Sequence, residues 1–131
     1  MQALTFRLKP GQGLLEEIEA IVFEKNIEAG CVLSTVGSLT DAILRLANRD
    51  HYSEFKGHFE IVSMTGTVSV HGIHLHISIS DGDGKTIGGH LVPGCKIYTT
   101  AEMVLGIFDD VVYKREFAED SGYGELVVYI K

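Results

Sequence analysis

The segment Ile73-His74-Leu75-His76-Ile77-Ser78-Ile79-Ser80 constrains the fold more than any other stretch of this chain. Strict alternation of aliphatic and polar residues marks a strand with one buried face, because successive strand side chains point to opposite sides. Ile73, Leu75, Ile77 and Ile79 therefore belong to a core, and His74, His76, Ser78 and Ser80 to the opposite surface. Asp81-Gly82-Asp83-Gly84 follows at once. It is a hairpin signal, since glycine tolerates positive φ and aspartate forms local turn bonds. The chain then returns as Thr86 to Val92, through Gly88-Gly89-His90.

Loop length decides where His90 points. If Gly82, Asp83 and Gly84 form the loop, with Gly84 left-handed, then Asp81 pairs with Lys85 and His76 lies opposite His90. Directly opposed Cβ atoms are about 4.5–5.5 Å apart and diagonal ones about 7–8 Å. His74, His76 and His90 then converge on one face, and Gly88 and Gly89 leave room for a ligand beside them. A loop one residue shorter would instead place His90 beside Leu75, on the aliphatic side, and dissolve the cluster. Converging neutral imidazoles with an open position suit a divalent transition metal, zinc first. The competing reading is a set of surface or subunit-interface histidines bonded to their neighbours.

The rest of the chain supplies the core that such a hairpin needs. Its 131 residues suit one domain spanning 1–131. Strands are expected at Ala3 to Leu8, Cys31 to Val36 and Thr40 to Ala47, with a break at Gly37-Ser38. Further strands are expected over Phe59 to Val70, Lys96 to Ile107, Val111 to Phe117 and Glu125 to Ile130, and Asn48 to Gly57 reads as an irregular connection. Leu14, Leu15, Ile18, Ile21 and Val22 recur at helical spacing, with Glu16 and Glu17 in the first turn where the helix dipole favours them. A mainly antiparallel sheet covered by one or two helices makes the class α+β.

Charge narrows the function. Eleven Lys and Arg against eighteen Asp and Glu give a net −7, and no cluster supplies the basic face that phosphate neutralisation requires. Autonomous DNA binding is disfavoured, because Arg45, Arg49, Lys56, Lys114 and Arg115 are scattered in the sequence. No apolar run approaches the ~20 residues of a membrane span, and the amino terminus lacks the pattern of a secretory signal. Cys31 and Cys95 suit free thiols in a reducing compartment, so a cytoplasmic location is expected.

The run Gly57-His58-Phe59-Glu60-Ile61-Val62-Ser63-Met64-Thr65-Gly66-Thr67, then His74-Leu75-His76, then Gly88-Gly89-His90-Leu91, resembles the plant and prokaryote conserved (PPC) domain. Val36-Gly37-Ser38-Leu39 and Thr100-Ala101-Glu102 also match family positions. The resemblance covers nearly the whole chain. It implies an α+β subunit that assembles as a homotrimer, with metal ligands carried over onto His74, His76 and His90, and a regulatory role through protein partners. Plant relatives carry an AT-hook, which this chain lacks, and His58 stands where the plant segment has Arg. The fold is also similar to that of acetolactate decarboxylase, a zinc enzyme. That similarity frames an alternative: a zinc-dependent lyase or hydrolase acting on a small carbonyl or carboxylate compound.

For that alternative, Glu60 and Glu102 are the candidate proton-transfer groups. Glu60 is expected on a strand face with Val62, Met64, Val68 and Val70, where burial would raise its pKa; a structural hydrogen bond is the plainer role for each carboxylate. His58 and His71 are within conceivable reach of the histidine cluster, and His51 is assigned no role. Asp81-Gly82-Asp83-Gly84 is not a calcium loop, since its twelfth position is Val92 rather than Glu. Cys95 reads as a small buried hydrophobe.

Overall fold

A computed structural model describes residues 1–131. The element order is β1 (Gln2–Leu8), α1 (Leu14–Glu24), β2 (Gly30–Arg45), β3 (Ser53–Val68), β4 (His74–Ser80), β5 (Thr86–Leu91), β6 (Lys96–Ile107), β7 (Val111–Ala118) and β8 (Tyr123–Ile130). Six strands form one antiparallel sheet in the order β1-β6-β2-β3-β4-β5, and β7 and β8 form a separate hairpin. The sheet curls until β5 meets the end of β2, pairing Leu44 with Leu91 and Arg45 with His90. This contact lies just beyond the last β2–β6 pair, Asp41 with Lys96. One helix and a mainly antiparallel sheet give the α+β class expected from the sequence. No helix is long and apolar enough to cross a membrane.

The core sits inside the curl and beneath α1. Leu14, Leu15, Ile18 and Val22 of the helix are buried against it, together with Leu39, Leu44, Leu75, Ile79, Ile97 and Leu105 from β2, β4 and β6. Burying each such side chain contributes about 1.5–3 kcal/mol relative to exposure. The helix closes where Asn26 takes a positive φ of 49°.

Two expectations along β2 and β3 need correction. Gly37-Ser38 does not interrupt the second strand: β2 runs unbroken over sixteen residues, with register shifts that absorb the irregularity. Glycine is needed at position 37 because a Cβ there would run into the Thr100 carbonyl oxygen and lie 2.7 Å from the Ala101 Cα on β6. Ser38 continues the strand, with its Oγ accepting from the Thr99 backbone N–H at 3.2 Å. The connection after Asn48 is also shorter than expected, since Ser53 to Lys56 already pair with β2.

A bulge between Ile61 and Ser63 alters the facing along β3. Phe59 and Ile61 point inward before it, Val62 and Ser63 both face outward, and Met64 returns to the core. Glu60 therefore does not share a face with Met64 and Val68. It is exposed, while those two are buried.

Candidate metal centre

The β4–β5 hairpin takes the longer of the two loop alternatives. Asp81 N–H donates to the Lys85 carbonyl at 2.9 Å, Gly84 N–H to the Asp81 carbonyl at 3.0 Å, and Gly84 has a φ of 81°. The Asp81 carboxylate locks the turn by accepting from the Asp83 and Lys85 N–H groups, each at 2.9 Å. His76 consequently pairs with His90. Across β3, His76 faces Thr65 and His74 faces Thr67.

The three imidazoles meet on the outer face of the curl. Ring centroids are 5.0 Å apart for His74–His76, 5.1 Å for His74–His90 and 5.7 Å for His76–His90. One nitrogen from each ring lies within 4.8 Å of the other two. Nitrogens sharing a zinc at about 2.0–2.1 Å stand a little over 3 Å apart, so ring rotation closes the difference. His74 and His76 are more exposed, whereas His90 is half-buried. Its Nδ1 is buried with no hydrogen-bond partner, a state that a buried polar atom rarely keeps. The donor set fits a metal.

For His74 and His90, burial and neighbouring charge favour the neutral, ligating form. His74 is held below its ordinary pKa first by partial burial of its ring, then by the positive charge of Arg115 and by His76, with Glu125 opposing. His90 is lowered by burial, then by His74, Arg45 and His76. Neutral rings need no proton displaced before they bind a cation.

A cleft of about 480 Å³ opens beside His74 and His90. Arg45 reaches it from β2 and Arg115 from β7, while Tyr123 and Glu125 of β8 form its far wall. A shallower groove on the other side of the rings holds Thr65, Thr67 and His76, and Arg115 borders both. Sequence reading missed these partners. Arg45 sits beside His90 through the long-range β2–β5 pairing, and Arg115 arrives from a separate sheet; no local pattern announces either contact.

The other candidates lie elsewhere. Glu60 pairs with Ser38 and Ser80, four residues along β4 from His76, or about 13 Å. Glu102 is exposed on β6, between Arg7 and Val36. His58 packs against Tyr98 with ring centroids 4.5 Å apart and planes tilted by 47°, His71 lies 4.0 Å from the Glu28 carboxylate, and His51 contacts Asp50. None of these histidines joins the cluster.

A curled sheet under one helix, with a histidine trio on its outer face, defines the class of protein. The sequence profile of the Plants and Prokaryotes Conserved (PCC) domain matches residues 1–109, and the chain belongs to that family. A Salmonella enterica protein shares 35% identity and superimposes with a TM-score of 0.98, covering 99% of this chain and 94% of that one. The metal-containing protein AF0104 of Archaeoglobus fulgidus, 25% identical, has a TM-score of 0.80 over 97% of this chain and 94% of its own. Among curated relatives, the bifunctional protein GlmU of Synechococcus sp. (strain JA-3-3Ab) is 40% identical over the full chain. The AT-hook motif nuclear-localized protein 13 of Arabidopsis thaliana is 28% identical over 77% of it. The chain spans only 21% and 25% of those two proteins.

Proposed function

We propose that this protein is a homotrimeric metal-binding member of its family, in which His74, His76 and His90 hold one divalent transition metal per subunit, zinc first. The carrying observation is the convergence of three imidazole nitrogens within 4.8 Å. The unpartnered His90 Nδ1 and the metal-containing archaeal relative support it. Bound metal would present an open position to a small anionic or carbonyl-bearing ligand. The cellular role is regulatory, through contacts with other proteins, as the family resemblance implies. Exposed apolar side chains such as Val36, Val62 and Tyr98 on the sheet offer surface for the trimer.

Elemental analysis of the purified protein tests the centre directly. We expect about one metal per wild-type chain and almost none in His76→Ala; equal content in both would defeat the assignment. Sedimentation equilibrium should return three times 14.3 kDa, and a monomer would remove the trimer.

A zinc-dependent lyase or hydrolase is the second reading, and the open cleft beside His74 and His90 favours it. The metal would act there as a Lewis acid. Turnover of small keto acids or esters that disappears with chelator would establish it. Autonomous DNA binding meets the obstacle of a net charge of −7; no retardation of random duplex DNA is expected at micromolar protein and physiological salt.

A further inference from the structure

The cleft beside the histidine trio carries its own chemistry. In a chain whose acidic residues outnumber its basic ones, two guanidinium groups, those of Arg45 and Arg115, line a single opening. Neither forms an ion pair: the salt bridges of the molecule involve only lysines and histidines. Arg45 forms no side-chain hydrogen bond, and it lies directly opposite His90 in the β2–β5 register, which puts both side chains on one face. Arg115 is positioned from β7. Its Nη2 donates to Thr67 Oγ1 at 2.9 Å, and its stem passes over Gly72, where a Cβ would lie 2.8 Å from Arg115 Cγ. Gly72 has a φ of 151°, so the turn before β4 is shaped to admit that arginine.

Unpaired guanidiniums at one concave site are the usual means of binding carboxylate or phosphate, through short, paired, charge-assisted hydrogen bonds. The volume of about 480 Å³ falls in the range of small-molecule pockets, larger than a bare inorganic ion requires. Ile73 and Tyr123 add apolar wall for a carbon skeleton, and Glu125 sits across the opening.

We infer that this cleft is the subsite for a small organic anion, whose carboxylate or phosphate group is held by Arg45 and Arg115 beside His74 and His90. The inference deepens the metal-centre reading and rests on it only for what a second oxygen of the ligand would meet. Arg115, Tyr123 and Glu125 all come from the β7–β8 hairpin, beyond the residues 1–109 that the family profile matches. The hairpin therefore supplies one of the two guanidiniums and the wall facing the ligand, while Arg45 and the metal ligands come from the shared sheet.

Calorimetric titration with succinate and with inorganic phosphate tests this on the full chain, loaded with zinc and stripped of it. Zinc content is measured in parallel. At least one of the two anions should bind the wild type, with affinity falling as salt rises. Arg45→Gln, which breaks no internal hydrogen bond, should weaken that binding about tenfold or more while leaving zinc content unchanged, and Arg115→Gln should do the same. Succinate alone assigns carboxylates to the cleft, and phosphate alone assigns phosphate esters. Binding of neither anion, or unchanged affinity in Arg45→Gln, overturns the inference and leaves the metal centre standing. A wild type that takes up no zinc on loading, yet still binds an anion through Arg45, sinks the metal reading alone and supports this one.

Discussion

The curled sheet and the carboxy-terminal hairpin are built on opposite principles. The sheet places Leu39, Leu44, Leu75, Ile79, Met103 and Leu105 out of solvent, and the buried core ends before Phe108. The hairpin buries no residue completely and exposes Phe117, Tyr123, Val128 and Ile130. A few hydrogen bonds tether it: Tyr113 N–H donates to the Glu28 carbonyl at 2.9 Å, Ser69 Oγ donates to the Tyr113 carbonyl at 2.9 Å, and Arg115 donates to Thr67. Lys131 adds an ion pair to Glu28 at 3.2 Å. An isolated two-stranded ribbon is marginal in water, so this one depends on what it touches. The sheet carries the stability, and the hairpin is free to carry recognition.

The sharpest way to break that division is to strike the sheet where backbones meet. Gly37→Ala forces a Cβ against Thr100 and Ala101 of β6, and we expect a loss of about 4 kcal/mol or more, read by urea denaturation. A loss under about 1 kcal/mol would mean that the strands yield at that point. Leu105→Ala empties a fully buried position and should cost about 2–5 kcal/mol.

The matching experiment on the hairpin should give the opposite result. Phe117→Ser and Ile130→Ser replace side chains that are 71% and 86% exposed. Each should change subunit stability by about 0.5 kcal/mol or less. If a second copy of the chain covers this surface, sedimentation will show the assembly weakened while the fold survives. Unfolding by either substitution would show that the hairpin belongs to the cooperative core after all.

The same contrast explains what the sequence made legible. The His76–His90 pairing follows from chemistry confined to the turn, because Asp81 and Gly84 determine the loop length locally. The aliphatic face of β4 was legible for a similar reason, through simple alternation. Glu60 was misplaced because the Ile61–Ser63 bulge breaks that alternation without a residue that announces it. Gly66 hinted at a bend, and it does sit where a Cβ would run into the His74 carbonyl oxygen, but the shift falls several residues earlier. Arg45 and Arg115 were visible only as scattered charges. Their convergence depends on strand closure and on docking of a separate sheet, both set by contacts distant in sequence.

Alkaline titration separates the two regions most finely. Cys95 lies in the core, its Sγ accepting from the Ile43 N–H at 3.3 Å, and burial raises its thiol pKa. Tyr129 is exposed on the hairpin, and its phenol is raised chiefly by its hydrogen bond to Glu116. Both acids stay protonated longer in the folded chain than in the unfolded one. Each therefore contributes stability that is complete below its unfolded pKa and is lost as pH rises through the folded value. For Cys95 the loss begins near the ordinary thiol range, about 8.5. Up to that range a thiol reagent should label half-buried Cys31 in the native protein and reach Cys95 only on unfolding. For Tyr129 the loss begins near the ordinary phenol range, about 10. Its solvent exposure makes the effect small: Glu116→Gln should return the phenol toward its ordinary range in an ultraviolet titration without a resolvable change in the melting curve at neutral pH. Labelling of Cys95 at the rate of Cys31 would show that the core opens to solvent in the native protein, and the contrast between a closed core and an exposed hairpin would fail.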